Sequence, residues 1–212
     1  MAATKKTIAI ITGSVRAVRV GPAVAALVKE IIGPSAAAGA GVELVDVDIA
    51  SFKLPIYDEL VLPGMVPEHA SLSHAHSLAW SAEMKRHAAY VLVTAEYNYG
   101  LPGGTKNAID YLSHEIKGKP IGIVSYGVLG GASSSEQAAK ILGVPLKMQV
   151  APTRPQLAFA SPEGAPPDTH AAAGGVLGDA SREAWTKDHG EAIKKMFAEI
   201  TASLALTEAP AA

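Results

Sequence analysis

The sequence predicts an α/β fold, a three-layer α/β/α sandwich built on a five-stranded parallel sheet. Two observations carry this. Short apolar, β-branched runs recur along the chain, as expected of strands covered on both faces. Between them lie segments whose apolar residues fall on one helical stripe, and such alternation implies right-handed crossovers and a parallel sheet. At 212 residues with 49% hydrophobic and 18% charged residues, the chain suits one domain spanning 1–212.

The first strand is Thr7–Thr12, TIAIIT, ended by Gly13-Ser14. Val24, Leu27, Val28 and Ile31 then stand at i, i+3, i+4 and i+7, the apolar face of a helix that Gly33-Pro34 stops. A second strand is expected over 42–47, and a long helix over 68–87 follows the Pro-rich segment 54–67. The third strand, 90–94, leads through loop 95–104 into a helix over 105–114. The fourth is 121–125, followed by a helix over 134–142 and a fifth strand over 147–151. Residues 152–180 break the rhythm and read as an irregular excursion, either a surface loop or a lid or arm. A last helix over 181–204 carries Trp185, Ile193, Met196, Phe197 and Ile200 at helical spacing. Five such units fit the doubly wound, flavodoxin-like strand order 2-1-3-4-5. The C-terminal Ala-Pro-Ala-Ala reads as a frayed tail.

A net charge of −2 offers no electrostatic footprint for nucleic acid. Without cysteine there is no disulfide, thiol nucleophile or thiolate metal site, so electrons would need a cofactor. No apolar run approaches the roughly 20 residues of a membrane span, and the short polar start Met1–Lys6 reads as that of a cytoplasmic protein. The seven histidines show no metal pattern such as HExxH. His74 and His76, two apart in the expected helix, would point to different faces. No GxSxG elbow suggests a hydrolase.

In open α/β sheets, ligands sit outside the carboxyl ends of the strands, so three loops matter most. Gly13–Gly21, GSVRAVRVG, combines Ser14, Arg16 and Arg19 with a helix start, a setting for a terminal phosphate. It lacks the glycine spacing of the P-loop and of the dinucleotide fingerprint; the alternative is that both arginines are solvated charges. Ala95–Gly104 offers aromatic faces and amides for a flat heteroaromatic ring, or else Tyr97 and Tyr99 are surface packing residues. Ser125–Gly131, SYGVLGG, is a glycine-rich turn that would let backbone approach a ligand.

GSVRAVRVG, EYNYGLPGGTKNAIDYL and VSYGVLGG together resemble the NADPH-dependent FMN reductase family, in particular its quinone and azo-dye reductases. The resemblance implies FMN, with Ser14, Arg16 and Arg19 around its phosphate and Val20 and Gly21 closing the loop. Ala95, Glu96, Tyr97 and Asn98 would border the isoalloxazine, and Ser125, Tyr126 and Gly127 would approach it from the next loop. No side-chain catalyst is assigned; Glu96 as a general acid or base is the one candidate. The implied reaction is ping-pong: NADPH or NADH gives hydride to the flavin, which passes it to a quinone, azo compound, ferric chelate or free flavin. Arg19, Lys53 and Arg154 are candidates for a 2′-phosphate contact. The family also implies a homodimer, with segment 54–60 near the flavin. Ala95 replaces the usual proline, and Val128 and Leu129 stand where smaller residues are frequent. The alternatives are a flavodoxin-type electron-transfer module and a flavin-dependent protein-binding scaffold.

Overall fold

A computed structural model describes residues 5–161, 163 and 168–206. The expected tail at 209–212 and part of the excursion, at 162 and 164–167, lie outside the described residues. The strands are β1 (Lys6–Thr12), β2 (Val42–Asp48), β3 (Ala89–Ala95), β4 (Pro120–Gly127), β5 (Gln149–Val150) and β6 (Gln156–Ala158). The helices are α1 (Gly21–Ile32), α2 (Pro34–Gly39), α3 (Ala75–Lys85), α4 (Gly103–Asp110), α5 (Ala132–Gly143), α6 (Asp168–Ala173) and α7 (Asp179–Leu206).

All pairings are parallel and the order is β2-β1-β3-β4-β5, as expected. Side chains alternate across the sheet with period two. Ile8 and Ile10 of β1 and Val91, Val93 and Ala95 of β3 enter one core with α1 and α7. Ala9, Ile11, Tyr90 and Leu92 enter the other, with α3, α4 and α5. Every residue of β3 and β4 is buried. The α7 layer lies flush on the sheet: a Cβ at Gly122 would stand 2.6 Å from Met196 Sδ.

The fifth strand differs from expectation. One edge position is shared by two short pieces, with β5 pairing Pro120 and Ile121 and β6 pairing Ser125–Gly127. Pro152 and Pro155 supply no N–H for a continuous ladder. The intervening Thr153 is instead held by Glu199 of α7, which accepts from its N–H at 2.9 Å and its hydroxyl at 2.7 Å. The excursion therefore contains a sixth strand and a helix, α6.

Other elements shift at their ends. Gly33 stops α1, but Pro34 at once begins α2. The helix expected from 68 starts only at Ala75, and the Glu59 carboxylate explains where. It accepts from Ser73 N at 2.9 and 3.0 Å, from His74 N at 2.9 Å and from Ser73 Oγ at 2.6 Å, capping a helix start that lacks a capping side chain of its own. His74 consequently precedes the helix, and the expectation that it points away from His76 fails. Their rings stack at 5.3 Å, and both face Asp58. Among the described residues, no group of three or more His, Asp or Glu is placed to hold a metal ion, and no helix is long and apolar enough to cross a membrane.

Burial alone would raise the Glu59 carboxyl, but the hydrogen bonds from Ser73 and His74 outweigh it and hold its pKa at about 2. A carboxyl whose folded pKa lies below its unfolded value of about 4.3 stabilises fully above about pH 5 and progressively less down to its folded pKa. In urea unfolding, Glu59→Gln is expected to flatten the loss of stability between about pH 5 and pH 2.

Candidate functional site

Because β1, β3 and β4 run parallel, their three following loops meet at one edge. The first loop is tied down at its start: Gly13 N donates to Val93 O at 2.9 Å, and Thr105 Oγ1 of α4 donates to Gly13 O at 2.8 Å. Ser14 is buried, and its Oγ has no hydrogen-bond partner. The Tyr126 hydroxyl lies beside Ser14, outside the geometry of a full hydrogen bond. Burial pushes the Tyr126 phenol up to about 12. Gly21 opens α1 beside both groups; a Cβ there would stand 2.1 Å from Ser14 Oγ and 3.0 Å from Tyr126 Oη.

The two arginines divide. Arg19 pairs with the Asp48 carboxylate at the end of β2 and donates to Arg16 O at 3.0 Å, while its buried Nε has no partner. Arg16 is exposed at the cleft, its guanidinium 5.7 Å from the Tyr97 ring centroid, within cation–π range. Asp48 was not legible as a site residue in the sequence, since it simply ends a strand.

The second loop is held by α5. The Glu96 carboxylate accepts from Ser133 N at 2.9 Å and Ser134 N at 3.2 Å, Ser134 Oγ donates to Ala95 O at 2.8 Å, and Leu101 N donates to Gln137 Oε1 at 3.0 Å. Glu96 thus caps a helix. Its N–H is also engaged, donating to Tyr126 O at 3.0 Å. Tyr97 and Gly100 exchange two backbone hydrogen bonds, at 3.1 and 3.0 Å, around Asn98 and Tyr99. Both central residues have positive φ, 50° and 55°, the backbone of a tight hairpin turn. Asn adopts it readily and an aromatic residue does so at a cost; the result displays Tyr99, 70% exposed. Gln137 was invisible in the sequence because only packing brings α5 beneath this loop.

In the third loop Ser125 is fully buried and donates from Oγ to Gly130 O at 2.9 Å, so its side chain shapes the turn and does not face the cleft.

A cleft of about 220 Å³ joins these loops. It gathers eight of the twelve expected residues: Arg16, Arg19, Val20, Ala95, Glu96, Tyr97, Tyr126 and Gly127. Ser14 and Gly21 lie beside it near Tyr126, Asn98 at a turn tip, and Ser125 behind the third loop. Val128, Phe159, Thr169 and Ala173 also line it; the last three come from the segment read as irregular, which carried no signal for them. A larger depression of about 740 Å³ lies between α1 and edge strand β2. Lys29 pairs with Asp46 at 2.7 Å on its rim, and among the described residues no buried side-chain donor lining it lacks a partner. Chemistry, not volume, selects the smaller cleft.

Donors without acceptors at a helix start, in a place with no room for a Cβ, suit a terminal phosphate. Fold and site together define a mononucleotide-binding, flavodoxin-like protein. The family model for NADPH-dependent FMN reductase matches residues 6–162. An NAD(P)H-dependent FMN reductase of Nectria sp is 42% identical over 181 residues, covering 85% of this chain and 87% of that protein. A quinone reductase of Escherichia coli (strain K12) is 43% identical over 70 residues, 30% of this chain and 37% of that one. An oxidoreductase structure from Corynebacterium diphtheriae superposes with a TM-score of 0.63 at 12% identity, covering 96% of this chain and 99% of that one, and it shares the fold. The chain belongs to the NADPH-dependent FMN reductase family, and is a flavin oxidoreductase with FMN as cofactor and NAD(P)H as donor.

Gly21→Val forces a side chain onto Ser14 and Tyr126. Overpacking of this kind costs about 1–3 kcal/mol, expected as a lower urea midpoint with an unchanged m-value.

Proposed function

We propose that the chain is a single-domain, cytoplasmic reductase that takes hydride from NAD(P)H and passes it to quinones by a ping-pong mechanism. The observation that carries its FMN site is that buried Ser14 Oγ and buried Arg19 Nε have no partner, on the same loop before α1 that holds the exposed Arg16. Both buried atoms lack partners, and burying an unsatisfied polar group costs about 1–3 kcal/mol. A phosphate would satisfy them. Ser14, Arg16, Arg19, Val20 and Gly21 then hold the phosphate, and Ala95–Asn98 and Ser125–Gly127 border the ring.

Bound FMN supplies the hydride chemistry. The protein's part is to bind and orient. Glu96, Ser134 and Gln137 fix the second loop to α5, while exposed Tyr99, Val128 and Leu129 offer an apolar wall to flat molecules. One shared face serves donor and acceptor in turn, which is why the mechanism is ping-pong. The quinone preference draws on the relative that bears that name.

Segment 54–65 exposes Ile56, Leu60 and Leu62 at 87%, 99% and 72%. Three exposed apolar side chains on one short segment favour an interaction surface, and in the proposed homodimer the partner covers them. A dimer mass in solution at micromolar concentration is the expected result; a monomer would count against this.

The protein as purified is expected to show a flavin absorption spectrum that bleaches when NADPH is added without oxygen and returns on adding a quinone. One-electron steps in a redox titration would instead indicate an electron carrier. Arg16→Ala removes charge-assisted hydrogen bonds worth about 1.5–3 kcal/mol, so FMN affinity should fall about 10- to 100-fold. Unchanged affinity in that variant would sink the phosphate assignment.

A further inference from the structure

One wall of the cleft lies beyond the residues that the family model matches. Thr169 and Ala173 of α6 face the cavity that Arg16 and Arg19 also line. The chain then reverses: Gly175 N donates to Ala172 O at 3.1 Å, and Val176 N to Ala171 O at 3.0 Å. The reversal sets Gly175 against the first loop, where a Cβ would meet Val18 Cγ1 at 3.3 Å and the Arg19 backbone at 3.5 Å. Gly175 has φ +84°, so a side chain is disfavoured there on both counts.

This segment is anchored at both ends and in the middle. Asp168 Oδ2 accepts from Ser181 N at 2.6 Å at the start of α7, and Asp168 N donates to Ala160 O at 3.0 Å. Ala160 N in turn donates to Ser181 Oγ at 2.9 Å. Ala172 is buried in the same core as Val20, the residue preceding α1.

We propose that residues 168–178 form a strap across the phosphate end of the cleft that retains FMN through turnover and selects it over FAD. The inference rests on the FMN reading above and deepens it. A phosphate held by Ser14, Arg16 and Arg19 would lie beside the strap, because Gly175 packs on the Arg19 backbone and Thr169 and Ala173 line the cleft with both arginines. The further phosphate and nucleoside of FAD would have to pass where Gly175 meets Val18 and Arg19. A flavin enclosed in this way stays bound as a prosthetic group. The acceptor must therefore come to it, which favours small, flat molecules over free flavin as the physiological class.

Two variants of the FMN-loaded protein test this. Asp168→Ala releases the strap from α7; Ala173→Glu, at an exposed lining position, sets a carboxylate toward the phosphate while leaving the core untouched. FMN release is followed by fluorescence after dilution into a flavin-capturing apoprotein, and affinities are measured for FMN, FAD and riboflavin. Asp168→Ala is expected to release FMN at least about tenfold faster and to narrow the FMN-over-FAD preference by a similar factor. Ala173→Glu should weaken FMN at least about tenfold and leave riboflavin, which has no phosphate, unchanged. Wild-type release and selectivity in folded Asp168→Ala would overturn the proposal. So would equal loss of FMN and riboflavin in Ala173→Glu, or no loss of either; this variant decides the matter if Asp168→Ala does not fold. Failure of the wild-type protein to bind FMN at all is a separate result that defeats the flavin reading itself.

Discussion

Burial of the central strands on both faces is the constraint from which the rest follows. Every residue of β3 and β4 is buried, so their backbone groups must be satisfied within the parallel ladder, and each crossover must return through a helix. The carboxyl ends of β1, β3 and β4 then necessarily share one edge. That edge is where backbone emerges from the ladder and can serve a ligand.

Polar ties turn this shared edge into one site. Thr105 of α4 holds the first loop, Glu96 and Gln137 join the second loop to α5, and Ser125 shapes the third. All of these but the Ser125 bond join residues far apart in sequence, and each is worth on the order of 1 kcal/mol. Their collective effect is preorganisation: the loops are positioned before any ligand arrives. Two of the buried polar atoms left without a partner, Ser14 Oγ and Arg19 Nε, lie together on the first loop. Sheet, loop ties and unpartnered donors thus form a single chain of cause from burial to binding.

Much of this was legible beforehand. Strands β1 to β4 start and end within two residues of their expected bounds, because an apolar run buried on two faces has few registers that keep it dry. The first and second loops were legible because strand-to-helix loops carrying Arg, Ser, Tyr and Asn are costly to place there without a use. Helix starts were less legible. α3 begins late because its cap, Glu59, comes from fourteen residues upstream of Ser73, and nearby sequence does not reveal such a partner.

The sequence by itself determined the layer architecture, the strand order, the edge where the cleft forms and most residues facing that cleft. These depend on local periodicity and on topology, which are written along the chain. Only the tertiary structure decided that two short strands share the sheet edge, that Glu96 caps a helix, that Arg19 pairs with Asp48, and that the turn after α6 packs against the first loop. Those outcomes rest on contacts between residues far apart in sequence. Their energies depend on distance and desolvation in three dimensions, and neither is encoded in composition or spacing.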